Sequence, residues 1–102
     1  MALINTGLSS TIANVYASSG NSVVSVAYFC NFDSSARTFN LYAVPAGGTA
    51  GTGNQIYKDV QIASGDTFVI DMEKLVLANN ETLQANISSG TSVTATVSYV
   101  GI

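Results

Sequence analysis

Apolar and polar residues alternate along most of this chain, in short runs separated by turn-forming residues. The turn-forming clusters are SSGNS (18–22), DSSAR (33–37), PAGGTAGTGN (45–54), ASGD (63–66), ANNE (78–81) and SSGTS (88–92). Alternation with a period of two residues is typical of β-strands, and Gly, Asn, Asp and Ser mark the turns between them. The pattern predicts an all-β, antiparallel β-sandwich, jelly-roll-like or immunoglobulin-like, with about seven or eight strands.

The bounds of the predicted strands follow from these runs. They are Thr11–Ala17, Ser22–Phe32, Thr38–Val44, Gln55–Ile62, Thr67–Asp71, Leu75–Leu77, Thr82–Ile87 and Ser92–Val100. No window has the apolar spacing of an amphipathic helix. The stretch DMEKLVLANN is the only candidate for a turn of helix, and a tight β-turn at Asp71–Lys74 is the favoured prediction there. Residues 1–10 are predicted to form an extended N-terminal arm, and residues 11–102 a single sandwich domain.

The run Ser22–Phe32 is apolar on both of its predicted faces, which favours a central strand that is covered on both sides. The only cysteine, Cys30, is predicted to be a small core residue of this strand. A single cysteine permits no disulfide within the chain. One predicted face carries Val24, Val26, Tyr28, Cys30 and Phe32, and the other carries Val23, Ala27 and Phe29.

Charged residues make up only 9% of the chain, and the net charge is −3. Arg37, Lys58 and Lys74 are the only basic residues. They are too few for a basic patch, which excludes nucleic-acid binding by phosphate neutralisation and attraction to an anionic membrane. No apolar run reaches the roughly 18 residues that a bilayer span needs, and the sequence predicts no signal peptide.

All charged residues lie between Asp33 and Glu81, so both terminal segments are uncharged. Exposed edge strands are normally protected by charge, proline or bulges. The segment Ser92–Val100 is predicted to direct Val93, Ala95, Val97 and Tyr99 inward. We expect the terminal segments to pair inside the sheet, to be covered by another chain, or both.

The candidate chemistry is sparse. The chain has no histidine and one cysteine, which excludes Ser-His-Asp and Cys-His catalysis and a structural zinc site from one chain. The carboxylates are Asp33, Asp59, Asp66, Asp71, Glu73 and Glu81. They fall mainly beside turns, where short side chains bond to local N–H groups, although Ca²⁺ binding and a catalytic pair stay open. We predict a protein that is not an enzyme, with no cofactor and no metal.

Two further features leave alternatives open. Five tyrosines, at positions 16, 28, 42, 57 and 99, could form a carbohydrate-binding face or simple cross-strand packing. Lys58 shares the parity of Ile56, Val60 and Ile62. Either a bulge changes the parity there, or the lysine stem packs on the apolar face.

Three stretches together resemble a known family. They are NVYASSGNSVVSVAYFCNFDSSARTFNLYAVPAGG, IYKDVQIASGDTFVIDMEKLVLANNETLQA and SVTATVSYVGI. They are similar to small virion structural proteins of tailed bacteriophages, notably marine and cyanobacterial phages. The similarity covers residues 12–102 and includes no catalytic motif. It implies a compact antiparallel β-sandwich, used many times per virion and synthesised in the host bacterial cytoplasm.

The expected function is therefore that of a non-enzymatic virion structural protein. The main hypothesis is a capsid decoration or cement protein that acts as a homo-oligomer, such as a trimer, and binds the major capsid protein. The alternatives are a subunit of the tail, neck or baseplate that contacts the tail protein or a fibre, and a carbohydrate- or host-surface-binding module. The predicted interaction residues are Leu3, Ile4, Leu8, Lys58, Thr94, Thr96, Ser98 and Ile102.

Overall fold

The computed structural model describes the backbone of residues 2–102 and the side chains of residues 2–71 and 75–102. In this described part the chain forms eight strands and no helix. The strands are β1 (Ala2–Leu8), β2 (Ala13–Ala17), β3 (Ser22–Asn31), β4 (Arg37–Val44), β5 (Gln55–Ile62), β6 (Thr67–Leu77), β7 (Thr82–Ile87) and β8 (Val93–Gly101). The predicted all-β class is confirmed.

The strands form two four-stranded antiparallel sheets. Sheet A has the order β1-β8-β3-β6, and sheet B has the order β2-β7-β4-β5. Successive strands lie in opposite sheets, except for β4 and β5, which form a hairpin around the Gly-rich loop. This eight-stranded order is that of a jelly roll, which confirms the predicted antiparallel sandwich and selects between its two predicted forms.

The core lies between the sheets, because alternate side chains of each strand point toward the opposite sheet. At its centre the ring of Phe29 in sheet A stacks on the ring of Phe39 in sheet B. Sheet A contributes Leu8, Val24, Ala27, Phe29, Ile70, Leu77, Val93, Ala95 and Val97. Sheet B contributes Val15, Tyr16, Phe39, Leu41, Ile62, Leu83, Ala85 and Ile87.

The N-terminal residues differ from their predicted form. Ala2–Leu8 is not a separate arm but the edge strand β1, which pairs with β8 from Ala2↔Tyr99 to Leu8↔Val93. The hydrogen-bonding groups of β8 supply this strand with a partner, which the local sequence could not reveal. The two terminal segments therefore pair with each other in sheet A, which agrees with the first of the two expectations for them.

The two short strands predicted at Thr67–Asp71 and Leu75–Leu77 belong to one strand, β6. Its register against β3 shifts between the pairs Val26↔Asp71 and Val24↔Leu75. The tight turn predicted at Asp71–Lys74 falls within the range of β6, and the side chains of residues 72–74 lie outside the described residues.

A buried asparagine joins three segments at one end of the sandwich. Asn31 is fully buried, and its amide nitrogen lies 2.9 Å from the carbonyl oxygen of Ser35 and 3.0 Å from that of Ile62. Its amide oxygen accepts a hydrogen bond from the backbone N–H of Asp33 at 3.0 Å. A polar side chain is stable in the core only when it is bonded in this way, so Asn31 fixes the β3–β4 loop onto the end of β5.

Candidate functional site

The outer face of sheet A is largely apolar, and Asp71, at its β6 edge, is the one charged residue among its described side chains. The sequence places no charged residue in β1, β3 or β8, three of the four strands of this sheet. Several large apolar side chains on the face are open to solvent, including Leu3 at 67%, Val69 at 53% and Val76 at 55% exposure. We call this surface the neutral face; it comprises Leu3, Val23, Val26, Tyr28, Cys30, Val69, Val76, Thr94, Thr96 and Val100.

The strand pairing arranges these side chains in rows across the sheet. One row runs Asn5, Thr96, Tyr28 and Val69. The next runs Leu3, Ser98, Val26 and Asp71, and a third runs Val100, Val23 and Val76. Paired residues of antiparallel strands point to the same side of a sheet, so the rows form one continuous surface.

A bulge in β3 decides which side chains reach the neutral face. Val24 pairs with Tyr99 and Val26 pairs with Ser98, so Ser25 is an extra residue opposite β8. The alternation shifts by one position at such a bulge. Val24 is buried before it, and Ala27 and Phe29 are buried after it.

This shift corrects the prediction for Cys30, which is exposed on the neutral face and not part of the core. Tyr28 and Phe32 are exposed for the same reason. The signal for the bulge was the run SVVSVAYF, which is apolar in both parities although only one parity can enter the core. The exposed Val69, Val76 and Val100 carried no such signal, and sequence reasoning missed them.

The outer face of sheet B has a different chemistry. Its side chains include amides that bond to one another, with Asn40 Nδ2 3.0 Å from Asn86 Oδ1 and Gln55 Nε2 3.1 Å from Asn40 Oδ1. The same Asn40 oxygen accepts the backbone N–H of Asp59 at 2.9 Å. These polar groups suit contact with water, so the two faces of the sandwich are not equivalent.

The structure separates the predicted interaction residues into exposed and buried ones. Leu3 and Ile4 are exposed in the edge strand β1, but Leu8 is buried in the core and is not available to a partner. Leu8 points inward because it pairs with the core residue Val93.

The predicted interaction residues of β8 also differ in their exposure. Thr94 and Thr96 are half-buried on the neutral face, and Thr96 Oγ1 lies 2.8 Å from Asn5 Oδ1. Ser98 is buried rather than open, between Leu3 and Val26 in its row. Ile102 is 71% exposed, and its backbone N–H donates to the carbonyl oxygen of Asn21 at 3.0 Å. Tyr99 does face inward and packs on the ring of Tyr16 at 4.4 Å.

Lys58 lies apart from the other predicted residues. It is exposed in β5, the edge strand of sheet B, whereas the other predicted residues are in or beside sheet A. The register between β4 and β5 shifts between Phe39 and Leu41, and Asp59 has a φ of 51°. A bulge therefore changes the parity at Lys58, which is the first of the two alternatives predicted for this residue.

Most of the described carboxylates accept hydrogen bonds from backbone N–H groups of the turns in which they lie. Asp66 accepts the N–H of Thr67 at 2.8 Å, and Glu81 accepts the N–H of Ala78 at 2.8 Å. Asp33 accepts the N–H of Ser35 and pairs with Arg37 at 2.9 Å. Short side chains stabilise turns in this way.

The pKa of Asp33 lies below its usual value of 3.8. Desolvation alone would raise this pKa, but the backbone N–H groups of Ser35 and Ser34 and the guanidinium of Arg37 together outweigh it. These donors favour the charged carboxylate, so the pair is part of the β3–β4 loop structure.

The tyrosines do not form an exposed row. Tyr28 is exposed on the neutral face, while Tyr16 and Tyr42 are buried and Tyr57 and Tyr99 are half-buried. Tyr57 packs edge-on against Phe68, with 6.3 Å between the ring centroids. Four of the five rings therefore pack inside or against the sandwich, as expected for cross-strand packing.

The described residues form no pocket that could hold a ligand. Among them, no three side chains of the metal-binding types lie together. Nor does that part of the chain include a helix with the length and apolar character to cross a membrane.

Comparisons with known proteins find no similar protein. No model of a known protein family, no curated protein and no solved structure matches this chain significantly.

Proposed function

We propose that this protein is a non-enzymatic structural subunit of a bacteriophage virion, a capsid decoration or cement protein that acts as a homo-oligomer. The observation that carries the proposal is the neutral face of sheet A, with its exposed Leu3, Val69 and Val76. Exposed apolar surface of this kind is a feature of surfaces that contact other proteins.

Two further observations support the same function. The jelly roll is a frequent architecture of viral capsid domains, although lectins and cupins share it. The three sequence stretches quoted above resemble small virion proteins of tailed phages, and this resemblance selects the virion among those uses. The contrast between the neutral face and the amide-covered face of sheet B suits a subunit with one side against the particle and one side in water.

The mechanism follows from the composition of the face. Burying neutral side chains such as Thr94 and Thr96 removes no charge from water, so the desolvation cost is low. Apolar burial contributes roughly 25 cal/mol per Å² removed from water. Many weak contacts of this kind, repeated over a symmetric lattice, would hold a shell together without a catalytic group.

Mass spectrometry and image reconstruction of purified particles that contain this chain test the proposal. Hundreds of copies over the capsid, with the neutral face against the major capsid protein, would support it. A low copy number at the tail, neck or baseplate would still agree with a structural role in the virion, but it would contradict the proposed position on the capsid. Absence from the particles, or glycan binding by the isolated protein, would refute it.

A second experiment addresses the face itself. Val69→Lys places a charge on the neutral face, at an exposed position of the edge strand β6, and Gln61→Lys places the same charge on the exposed side of β5 in sheet B. We expect Val69→Lys to reduce incorporation into particles at least about tenfold, because burying a charge in a contact is costly. Gln61→Lys should be incorporated like the wild type, and equal incorporation of both variants would contradict the proposed face.

A further inference from the structure

The edge strand β1 lacks the usual protection of an exposed strand. It contains no charged residue and no proline, and its seven pairs with β8 run without a register shift. Its other edge therefore presents a regular row of backbone N–H and C=O groups that can pair with another strand.

The other three edge strands are protected. The β2 strand has five residues and a register shift between Asn14 and Tyr16. The β5 strand contains Lys58, Asp59 and two register shifts against β4. The β6 strand contains three charged residues in its sequence and a register shift against β3. Charges and bulges of this kind prevent edge-to-edge pairing, so β1 differs from the other edges.

We propose that β1 pairs in antiparallel orientation with β1 of a second copy of this chain, with Asn5 facing Asn5 across the two-fold axis. The inference rests on the function proposed above and specifies the homo-oligomer. It joins the two copies of sheet A into one continuous eight-stranded sheet, and it extends the neutral face across both copies.

In an antiparallel β1–β1 pair, each side chain of one copy faces a complementary side chain of the other. In this register Leu3 faces Gly7 of the second copy, and Ile4 faces Thr6. A Cβ added to Gly7 would meet no atom within 4 Å, so the space above Gly7 is open to the exposed Leu3 of the second copy. No like charges oppose each other, because β1 has none.

The register also preserves the two faces of the sheet. Leu3, Asn5 and Gly7 pair with the outer positions of β8, whereas Ile4 and Leu8 pair with its core positions Val97 and Val93. Pairs centred on Asn5 always join residues of the same parity, so outer residues meet outer residues. A foreign strand would need to be uncharged and to match the outer and core positions of β1, which a second copy does by identity.

Sedimentation velocity over a wide concentration range tests this pairing. We expect the wild type to form a reversible dimer and Asn5→Lys to weaken it about tenfold or more, since two lysines would meet at the axis. The matched control is Asn14→Lys, which places the same charge at an exposed position of the edge strand β2 and should dimerise like the wild type. Circular dichroism would establish that both variants are folded.

Charge exchange tests the register. Asn5→Asp alone should also dimerise weakly, while an equimolar mixture of Asn5→Asp and Asn5→Lys should restore a heterodimer, because opposite charges then meet. A monomeric wild type, an Asn5→Lys variant that dimerises normally, or a mixture that stays monomeric would each overturn the pairing. These results are independent of particle copy number, so this inference can fail while the structural role stands.

Discussion

The rings of Phe29 and Phe39 lie 4.3 Å apart and within 8° of parallel, and they join sheet A to sheet B at the centre of the core. Both residues are fully buried. Phe68 packs edge-on against Phe39 at 5.6 Å, which extends the aromatic cluster toward β6. The two sheets are therefore held in register by aromatic contacts as well as by aliphatic packing.

Removal of one of these rings should destabilise the whole domain. We expect Phe39→Ala to reduce the free energy of unfolding by about 3–5 kcal/mol, through lost burial and a cavity that cannot fully collapse. Equilibrium urea denaturation measures the change. The matched control is Phe32→Ala, at a ring that is 64% exposed, and its effect should stay within about 0.5 kcal/mol. Equal effects at both positions would contradict the position of the core.

The buried amide of Asn31 gives a second prediction. Asn31→Ala should destabilise the protein by about 2–3 kcal/mol, because buried carbonyl groups such as that of Ile62 lose their donor. Asn14→Ala, at an exposed position of β2, should have little effect. The backbone N–H of Gly65 donates to the backbone carbonyl oxygen of residue 31. If the loops separate in the variant, hydrogen exchange at this N–H should become faster. An unchanged Gly65 signal would contradict the role of Asn31 in joining the loops.

The Asp33–Arg37 pair predicts a dependence of stability on pH. The folded-state pKa of Asp33 lies below 3.8, so the charged carboxylate stabilises the fold above that value. This stabilisation is lost as the pH falls through the lower folded-state pKa. Asp33→Asn should therefore be less stable than the wild type at neutral pH, and the difference should narrow in urea titrations at about pH 3. A difference that is constant with pH would contradict the pairing.

The exposed thiol of Cys30 reports on the neutral face. A maleimide reagent should label Cys30 in the folded, isolated protein without denaturant, since the side chain is exposed. In assembled particles the labelling should slow at least about tenfold if the neutral face is covered. The control is the double variant Cys30→Ser with Gln61→Cys, which moves the thiol to sheet B. Its labelling should be similar before and after assembly.

Much of the fold could be predicted from the sequence because the turn residues and the two-residue alternation are local signals. The boundaries of β5 and β7 agree with the predicted runs to the residue. The strand β1 could not be predicted, because ALINTGL lacks a regular alternation and is extended by its pairing with β8. Such tertiary pairing overrides weak local preference.

The candidate site was predictable only in its chemistry. The distribution of charge along the chain indicated uncharged terminal strands, and β1 and β8 are neighbours in sheet A. The residues of the neutral face were not predictable, because both parities of β3 are apolar and the bulge at Ser25 decides between them. Cys30 was misplaced by a choice of parity that depends on the neighbouring strands, and Leu8 was misplaced because β1 was not predicted as a strand.

The bulge at Ser25 also has a genetic consequence. Deletion of this one codon would remove the extra residue and leave β3 with an uninterrupted alternation. Val24, Ala27 and Phe29 would then stay between the sheets, and Val26, Tyr28 and Cys30 would stay on the outer face. An in-frame insertion of one residue between Ala27 and Tyr28 would instead exchange the inside and outside of the rest of the strand, so we expect it to be far less tolerated than the loss of this serine.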